Sequence, residues 1–571
     1  MKLSDKKAGI ILAAIIIVSL IVSTVFVTVK QGYHEDELLT YNLANSSKQL
    51  NVDGGWNTPE DFNEYLTVRP DDRFDYAQVY NNQIIDASHP PFYYALVHTV
   101  CSFFPNTFSP YLAYSINVLA MIGVLIFLYK IARRITSNNL YALTAAAAYA
   151  LSIACFTTTI YLRMYATLTF FVTWFVYNML RLYDKKGTVG VKDCVVIVIN
   201  VTLGVLTQYY FILFAGLVGI VFLVFKIKEK NIKDLIFVVV SAVVGGGLAL
   251  AVYPYIISNV LGGNRGFGSL SIDIDTITIV TYVGYKLMTY VNILAKDLFL
   301  GQTWLLALCT VGAAALWIYL RFVKKTKLPR KAMFILIPAP VYFAFISLVS
   351  PFNSDRYVMA SLPFIAMIFA FALIKACTLI KNEKAAFAAP AVLLLASVLA
   401  LCVVRPYYLY GKTNLYDIKD KNCVFVGTSM LEWNKCIDKL KNYDSAMIVQ
   451  TSKMDPNLGA ELDEFATKRG VVTNGKISKF ASAYMNNGSE KELKDSMDAL
   501  KTDKRLDSLD SVTVYISRLA DTQGVLEFFK ENTKFKNYEL IQADYSFDEF
   551  FNWYDYFVET ESYCNVYRFT A

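Results

Sequence analysis

Two short strings in one polar loop carry most of the chemistry legible in this chain. Asp36 and Glu37 follow the first apolar stretch, and His89-Pro90-Pro91-Phe92-Tyr93-Tyr94 closes the same loop. A carboxylate held at a membrane surface can take the proton from a hydroxyl, and general base catalysis of this kind contributes about 10² to 10⁴ in rate. Arginine supplies the complementary chemistry, because a guanidinium matches a phosphate through paired hydrogen bonds. Arg163, Arg265, Lys286, Lys296 and Arg356 are the basic residues that fall on the same side as that loop between the second and tenth apolar spans. Each has a purely structural reading beside the chemical one. The acids at 35–37 suit the start of a helix running to about Ser47, where negative charge complements the helix dipole. Arg163 and Arg356 lie near helix ends, where long basic side chains snorkel. Arg265 sits in Gly262-Gly263-Asn264-Arg265-Gly266-Phe267-Gly268, which reads either as a loop closing over substrate or as a flexible connector. His89, ahead of Pro90 and Pro91, suits a helix start as well as contact with a ligand, and His98 lies in an apolar run as a packed residue.

The elements that must position these groups are membrane helices. With 55% of 571 residues hydrophobic and 18% charged, the chain is too apolar for an ordinary soluble protein. A bilayer core takes roughly 20 apolar helical residues to cross. That rule predicts eleven spans, at 8–29, 111–132, 139–156, 160–182, 191–207, 209–227, 233–257, 300–322, 332–349, 357–380 and 385–404. Lipid offers backbone amides no partner, so each is expected to be helical. Segments that alternation assigns to the cytoplasm hold 23 Lys and Arg, whereas the first large loop, 30–110, has 4 basic and 11 acidic residues. The positive-inside bias therefore places the N-terminus in the cytoplasm, and the loop and the C-terminal region outside. Lys2, Lys6 and Lys7 ahead of the first span read as a retained signal anchor rather than a cleaved signal peptide; the orientation is the same either way. Residues 90–104 are apolar but too short to span. Residues 276–298 carry a polar stripe at Thr278, Thr281, Tyr285, Thr289, Asn292 and Lys296, which predicts an interfacial helix.

From about residue 405 the pattern becomes that of a compact α/β domain. Val424–Gly427, Ala446–Gln450, Val512–Ile516 and Val566–Phe569 read as strands, with helical stretches around 429–441, 459–468, 489–500 and 524–531. The predicted division is thus a membrane domain over 1–404 and an extracytoplasmic domain over 405–571. The latter holds 22 basic and 26 acidic residues and lacks both the dinucleotide and the phosphate-loop glycine patterns, which argues against nucleic-acid or nucleotide binding. Cys155, Cys194, Cys309, Cys377 and Cys402 fall in or beside spans as small core residues. Cys423, Cys436 and Cys564 lie in the outer domain and leave room for one disulfide. No Cys or His spacing offers a zinc site, so no cofactor is firmly implied; the acidic loop leaves a divalent metal open but not indicated.

Taken in order, Asp36-Glu37, His89 to Tyr94, Arg163-Met164-Tyr165, Thr207-Gln208-Tyr209-Tyr210-Phe211 and Arg356-Tyr357 resemble the GT-C glycosyltransferases of the family 39 type, a superfamily that includes protein O-mannosyltransferases and the aminoarabinose transferases of lipid A. The resemblance covers roughly residues 8–380. It implies a polytopic α-helical membrane enzyme that moves a sugar from a polyprenyl-phosphate-linked donor to an extracytoplasmic hydroxyl or amine, the acceptor glycan, lipid or protein being unspecified. It implies Asp36 as general base with Glu37 beside it, and it draws His89, Tyr93, Arg163, Tyr165, Arg265 and Arg356 into donor-phosphate and substrate binding. One direct displacement would invert the anomeric centre. The histidine common in the fifth-to-sixth loop of relatives is Gln208 here, and the long first loop with Gly54-Gly55-Trp56 departs from the shortest family pattern. The alternative reading is a transporter or lipid flippase with an external accessory domain, whose functional charges would lie on broken helices near mid-membrane.

Overall fold

A computed structural model describes residues 3–571 except 31, 49–51, 53, 262–278, 351–353, 380–384, 407, 410–419, 429, 435, 458–495 and 547–562. Arg265, the helix expected at 459–468 and residues 276–278 lie outside the described residues. The chain divides into two compact units, one of residues 1–29, 79–100 and 109–409 and one of 30–78, 101–108 and 410–571.

The first unit is helical. Among the described residues, seven of its helices are long and apolar enough to cross a membrane: Asp5–Val29, Pro110–Thr136, Tyr210–Lys228, Ile232–Val252, Thr303–Val323, Arg330–Val349 and Met359–Leu379. An eighth candidate is a pair, Asn139–Ala150 and Ile153–Ile160, bent by 56°. Helices at Tyr165–Tyr183, Val191–Thr207 and Ala385–Val403 occupy the other expected spans, and the amphipathic helix runs over Ile279–Leu298. The chain is a multi-pass membrane protein.

The bend sets the path of the chain toward Arg163. Ser152 starts a new helix by accepting from the Cys155 N–H at 3.2 Å, so the ladder is interrupted after Ala150. The second arm ends at Ile160, and the chain turns through Tyr161–Met164 before the next helix begins at Tyr165, later than the 160 expected from hydropathy. Hydropathy registers apolarity, which continues through this break, whereas the turn depends on backbone hydrogen bonds. Around the first arm the packing is close because small residues allow it: Ala8 and Ala146 are fully buried where Asp5–Val29 meets Asn139–Ala150. A Cβ on Gly123 would lie 2.4 Å from the Phe170 ring, so a bare backbone lets that ring approach Pro110–Thr136.

The second unit is built on a sheet. Strands β1 (Gly55–Asn57), β2 (Asn422–Gly427), β3 (Ser445–Gln450), β4 (Ser511–Ser517), β5 (Asn537–Ser546) and β6 (Tyr563–Thr570) lie in the order β1-β3-β2-β4-β6-β5. The three central strands β3, β2 and β4 are parallel; β1, β6 and β5 pair antiparallel to their neighbours. Burial is nearly continuous along the parallel strands, as both faces are covered. Val424, Val426, Val449, Val514 and Ile516 meet Phe529 of helix Thr522–Asn532 in one core. The four expected strands are all present. The helical stretch expected around 429–441 is two short helices, Met430–Asn434 and Ile437–Leu440, and the described end of 489–500 is a 3₁₀ turn at Met497–Lys501. Cys423, Cys436 and Cys564 are buried and none of them is in a disulfide, so the bridge left open by the sequence does not form.

Strand β1 comes from the Gly-Gly-Trp string of the first loop. Trp56 donates to Asp503 Oδ2 at 3.0 Å, and the Arg505 guanidinium lies 4.6 Å from its ring centroid. Trp56→Ala is expected to lower the stability of this unit by about 2 kcal/mol, below the usual cost for a core Trp because the ring is half-buried. Thermal unfolding followed by circular dichroism checks this, with Trp56→Phe, which keeps a ring beside Arg505, recovering part of the loss.

Candidate active site

Each unit by itself holds a built cluster of the expected residues. In the second unit, helix Glu35–Asn45 begins with a capping box: His34 Nδ1 accepts from the Asp36 N–H at 3.1 Å, and Glu37 Oε2 accepts from the His34 N–H at 2.8 Å. The helix-start reading of the three acids is therefore realised in the geometry. Glu37 also takes a charge-assisted bond from Lys30 Nζ at 2.5 Å, with both side chains fully buried. Asp36 is held differently. Its side chain is 7% exposed, with Oδ2 3.8 Å from His34 Nδ1, and its carbonyl accepts from Thr40 Oγ1 at 2.9 Å. The two neighbours thus stand in different environments: Glu37 is bound to an ammonium and to the backbone N–H of the cap, whereas Asp36 keeps a short, fixed carboxylate near an imidazole.

In the first unit the turn at Tyr161–Met164 projects Arg163 into the bundle, where it is 1% exposed. Nη1 donates to the Tyr94 hydroxyl at 3.1 Å, and Nη2 lies 3.0 Å from His89 Nε2. His89 Nδ1 lies 2.8 Å from Asp86 Oδ2, which also accepts from the backbone N–H of His89 at 3.0 Å. An imidazole nitrogen beside a guanidinium must accept, so Nε2 is bare and Nδ1 carries the proton toward Asp86. Asp86 fixes the tautomer, and the tautomer orients the arginine. Tyr93 points elsewhere and donates to Asn117 Oδ1 at 3.1 Å. Asn117 in turn donates to the carbonyls of Thr159 at 3.2 Å and Tyr161 at 2.7 Å, pinning the turn that carries Arg163. Arg163 completes the turn with its own N–H on the Tyr161 carbonyl at 2.7 Å.

Arg356 belongs to the same unit through Tyr161. Its Nη1 donates to the Tyr161 hydroxyl and its Nη2 to the Tyr357 hydroxyl, both at 3.3 Å. Tyr161 stacks on Tyr408 at a centroid separation of 3.6 Å and on Tyr165 at 5.8 Å. Tyr408 donates to Asp355 Oδ1 at 2.8 Å. Burial pushes the Asp355 carboxyl up to about 6, against the opposing hydrogen bond from Tyr408 and the nearby charges of Lys296 and Arg356. Lys286 donates to the Ser350 carbonyl at 2.8 Å.

His89, Tyr94 and Arg163 are thus brought together, and Tyr165 and Arg356 are joined through Tyr161. Sequence reasoning missed Asp86, Asn117, Asp355 and Tyr408. Asp86 carried a usable signal, since it lies three residues before His89; Asn117, inside an apolar span, was a second. Among the described residues no group of three or more His, Cys, Asp or Glu is arranged to hold a metal ion.

A family model described as dolichyl-phosphate-mannose-protein mannosyltransferase matches residues 88–256, the segment that contains His89, Tyr93, Arg163 and Tyr165. No curated protein matches the chain by sequence. Among solved structures, ArnT from Cupriavidus metallidurans in the apo state is similar with a TM-score of 0.50 at 11% identity, over 97% of each chain. The same protein bound to undecaprenyl phosphate gives 0.49 at 13% identity over 97% of each chain. The archaeal oligosaccharyltransferase AglB from Archaeoglobus fulgidus, in complex with an inhibitory peptide and a dolichol-phosphate, gives 0.39 at 11% identity, covering 88% of this chain and 69% of that one. The apo ArnT match shows a shared fold along nearly the whole chain.

His89→Ala removes the acceptor that orients Arg163 and is expected to cost about 1.5 to 3 kcal/mol, the range for a hydrogen bond to a charged group. His89→Gln, which restores an acceptor, should recover part of it in a detergent thermal-unfolding series. Asp355 holds its proton more tightly folded than unfolded. Its contribution to stability is therefore complete below about pH 4 and is lost as pH rises through about 6. Asp355→Asn should flatten this decline in melting temperature between pH 4 and 7.

Proposed function

We propose that this chain is a GT-C-type membrane glycosyltransferase of the protein-mannosyltransferase and ArnT kind that moves a sugar from a polyprenyl-phosphate donor to a hydroxyl or amine on the non-cytoplasmic side, a reading supported by its fold and by the matched segment. The observation that carries this reading is Arg163. A fully buried guanidinium, oriented through His89 by Asp86, lies inside the segment that matches the mannosyltransferase family. Charge inside a bilayer is expensive, and a group retained there at that cost suits an anionic partner. A lipid-linked phosphate provides one.

In this reading Asp36 takes the acceptor proton while the acceptor atom attacks the anomeric carbon. The bond from that carbon to the phosphate oxygen breaks, and the polyprenyl phosphate leaves with the electron pair. Arg163, and Arg356 beside Tyr161, stabilise the charge that develops on the leaving phosphate. One displacement without a covalent sugar-enzyme intermediate inverts the anomeric centre. His89 and Tyr94 act as positioning residues for Arg163, Tyr165 supports Arg356 through Tyr161, and Glu37 with Lys30 holds the helix that carries Asp36. Tyr93 acts one step back, through Asn117 and the turn. The basic residues of alternate loops support eleven crossings with the N-terminus cytoplasmic, the 276–298 helix in the interface, and the sheet-containing unit extracytoplasmic. Residues 1–404 then supply the membrane domain and 405–571 the outer α/β domain.

Purified protein given a labelled polyprenyl-phosphate sugar and a panel of acceptors tests the reading. Asp36→Asn should lower kcat by about 10² to 10⁴ with donor binding retained. Arg163→Ala should weaken donor binding as well as turnover. Unchanged turnover in both variants would remove these residues from the reaction. Protection of a C-terminal tag from protease in right-side-out vesicles would overturn the orientation.

A further inference from the structure

The first unit contains a cavity of about 370 Å³ whose lining does not include His89, Arg163 or Arg356. Its walls come from the bent pair, helix Thr303–Ile318, helix Met359–Leu379 and helix Ala385–Val403, and they are almost wholly apolar, with Ile153, Leu305, Phe369 and Leu373 among them. The acidic exception is Asp297, at the end of helix Ile279–Leu298. Asp297 is 1% exposed, and neither of its carboxylate oxygens has a hydrogen-bond partner among the described residues.

Such a group is costly as it stands. An ionised carboxylate moved out of water without a partner loses several kcal/mol of solvation, so it either takes a proton or finds a cation. Burial and the nearby Asp355 carboxylate both push Asp297 well above the usual carboxylate range, while Lys296 opposes them. Lys296 precedes it in the chain and lines the same cavity, yet does not hydrogen-bond it. Two bare oxygens offer about four acceptor positions, and a primary ammonium brings three donors and the compensating charge. A hydroxyl brings one donor and no charge. The remaining wall accepts hydrocarbon, and the volume falls in the range of small-molecule pockets, about 300 to 1,000 Å³.

We propose that this cavity is a binding site for an apolar primary amine, with the ammonium on the Asp297 carboxylate and the hydrocarbon body against the surrounding helices. Gly312 gives a second handle on it: the residue lines the cavity, and a Cβ there would meet nothing within 4 Å, so a larger side chain would enter the open space.

The test uses the full chain in lipid nanodiscs with 1-adamantanamine as probe and 1-adamantanol as its neutral isostere, binding being read by calorimetric titration. The amine is expected to bind saturably and at least tenfold more tightly than the alcohol. Asp297→Asn should erase that difference while leaving the weak alcohol binding in place. Gly312→Leu should weaken both ligands at least tenfold. Equal binding of amine and alcohol to the unaltered protein, no saturable binding at all, or amine binding that survives Gly312→Leu would overturn the proposal. The last readout stands even if Asp297→Asn fails to fold.

Discussion

Keeping Arg163 charged and oriented inside an apolar helical bundle is the constraint on which the first unit depends. The guanidinium cannot be left to lipid, and the structure meets this with a chain of acceptors and donors: Tyr94 and His89 on the arginine, and Asp86 on the imidazole. The same requirement explains the interrupted helices. An unbroken span through 153–183 would have fixed Arg163 by helical periodicity alone. The turn at Tyr161–Met164, pinned by Asn117, sets its direction instead. Stacked tyrosines then extend the polar cluster to Arg356 and Asp355.

The second unit solves a different problem. Three parallel strands buried on both faces need cover at each edge, since an exposed edge invites further pairing. On one side β6 and β5 close it; on the other the cover is the short β1 from the first loop, locked by Trp56 on Asp503 and Arg505. The acids at 35–37 belong to this unit, where a capping box and the Lys30–Glu37 pair make a rigid helix start. Rigidity at that point is what a carboxylate needs if it is to meet a substrate in one geometry.

The helical ranges and four of the six strands were legible because they rest on runs of residues: apolar stretches near 20 residues long, and β-branched runs of buried strands. Long runs average over local accidents. The break at 161–164 was not legible, since the residues there remain apolar or aromatic and only hydrogen bonding distinguishes a turn from a helix. Nor was β1, three residues long and without alternation. The acids were visible as candidate bases and as a helix start at once; in the geometry Glu37 caps the helix, and Asp36 stands near His34.

By itself the sequence determined that this chain lives in a membrane, that basic residues concentrate in alternate loops, and which residue types were available for acid-base and phosphate chemistry. Those properties are sums over composition and one-dimensional spacing. Only the tertiary structure decided that Asp86 stands behind His89, that Asn117 holds the turn of Arg163, that Tyr408 links Asp355 to the stack, and that Asp297 faces a cavity with no hydrogen-bond partner among the described residues. The pairings join residues tens of positions apart, or separated by a turn, and a buried polar group's partner is fixed by packing geometry rather than by its neighbours in the chain.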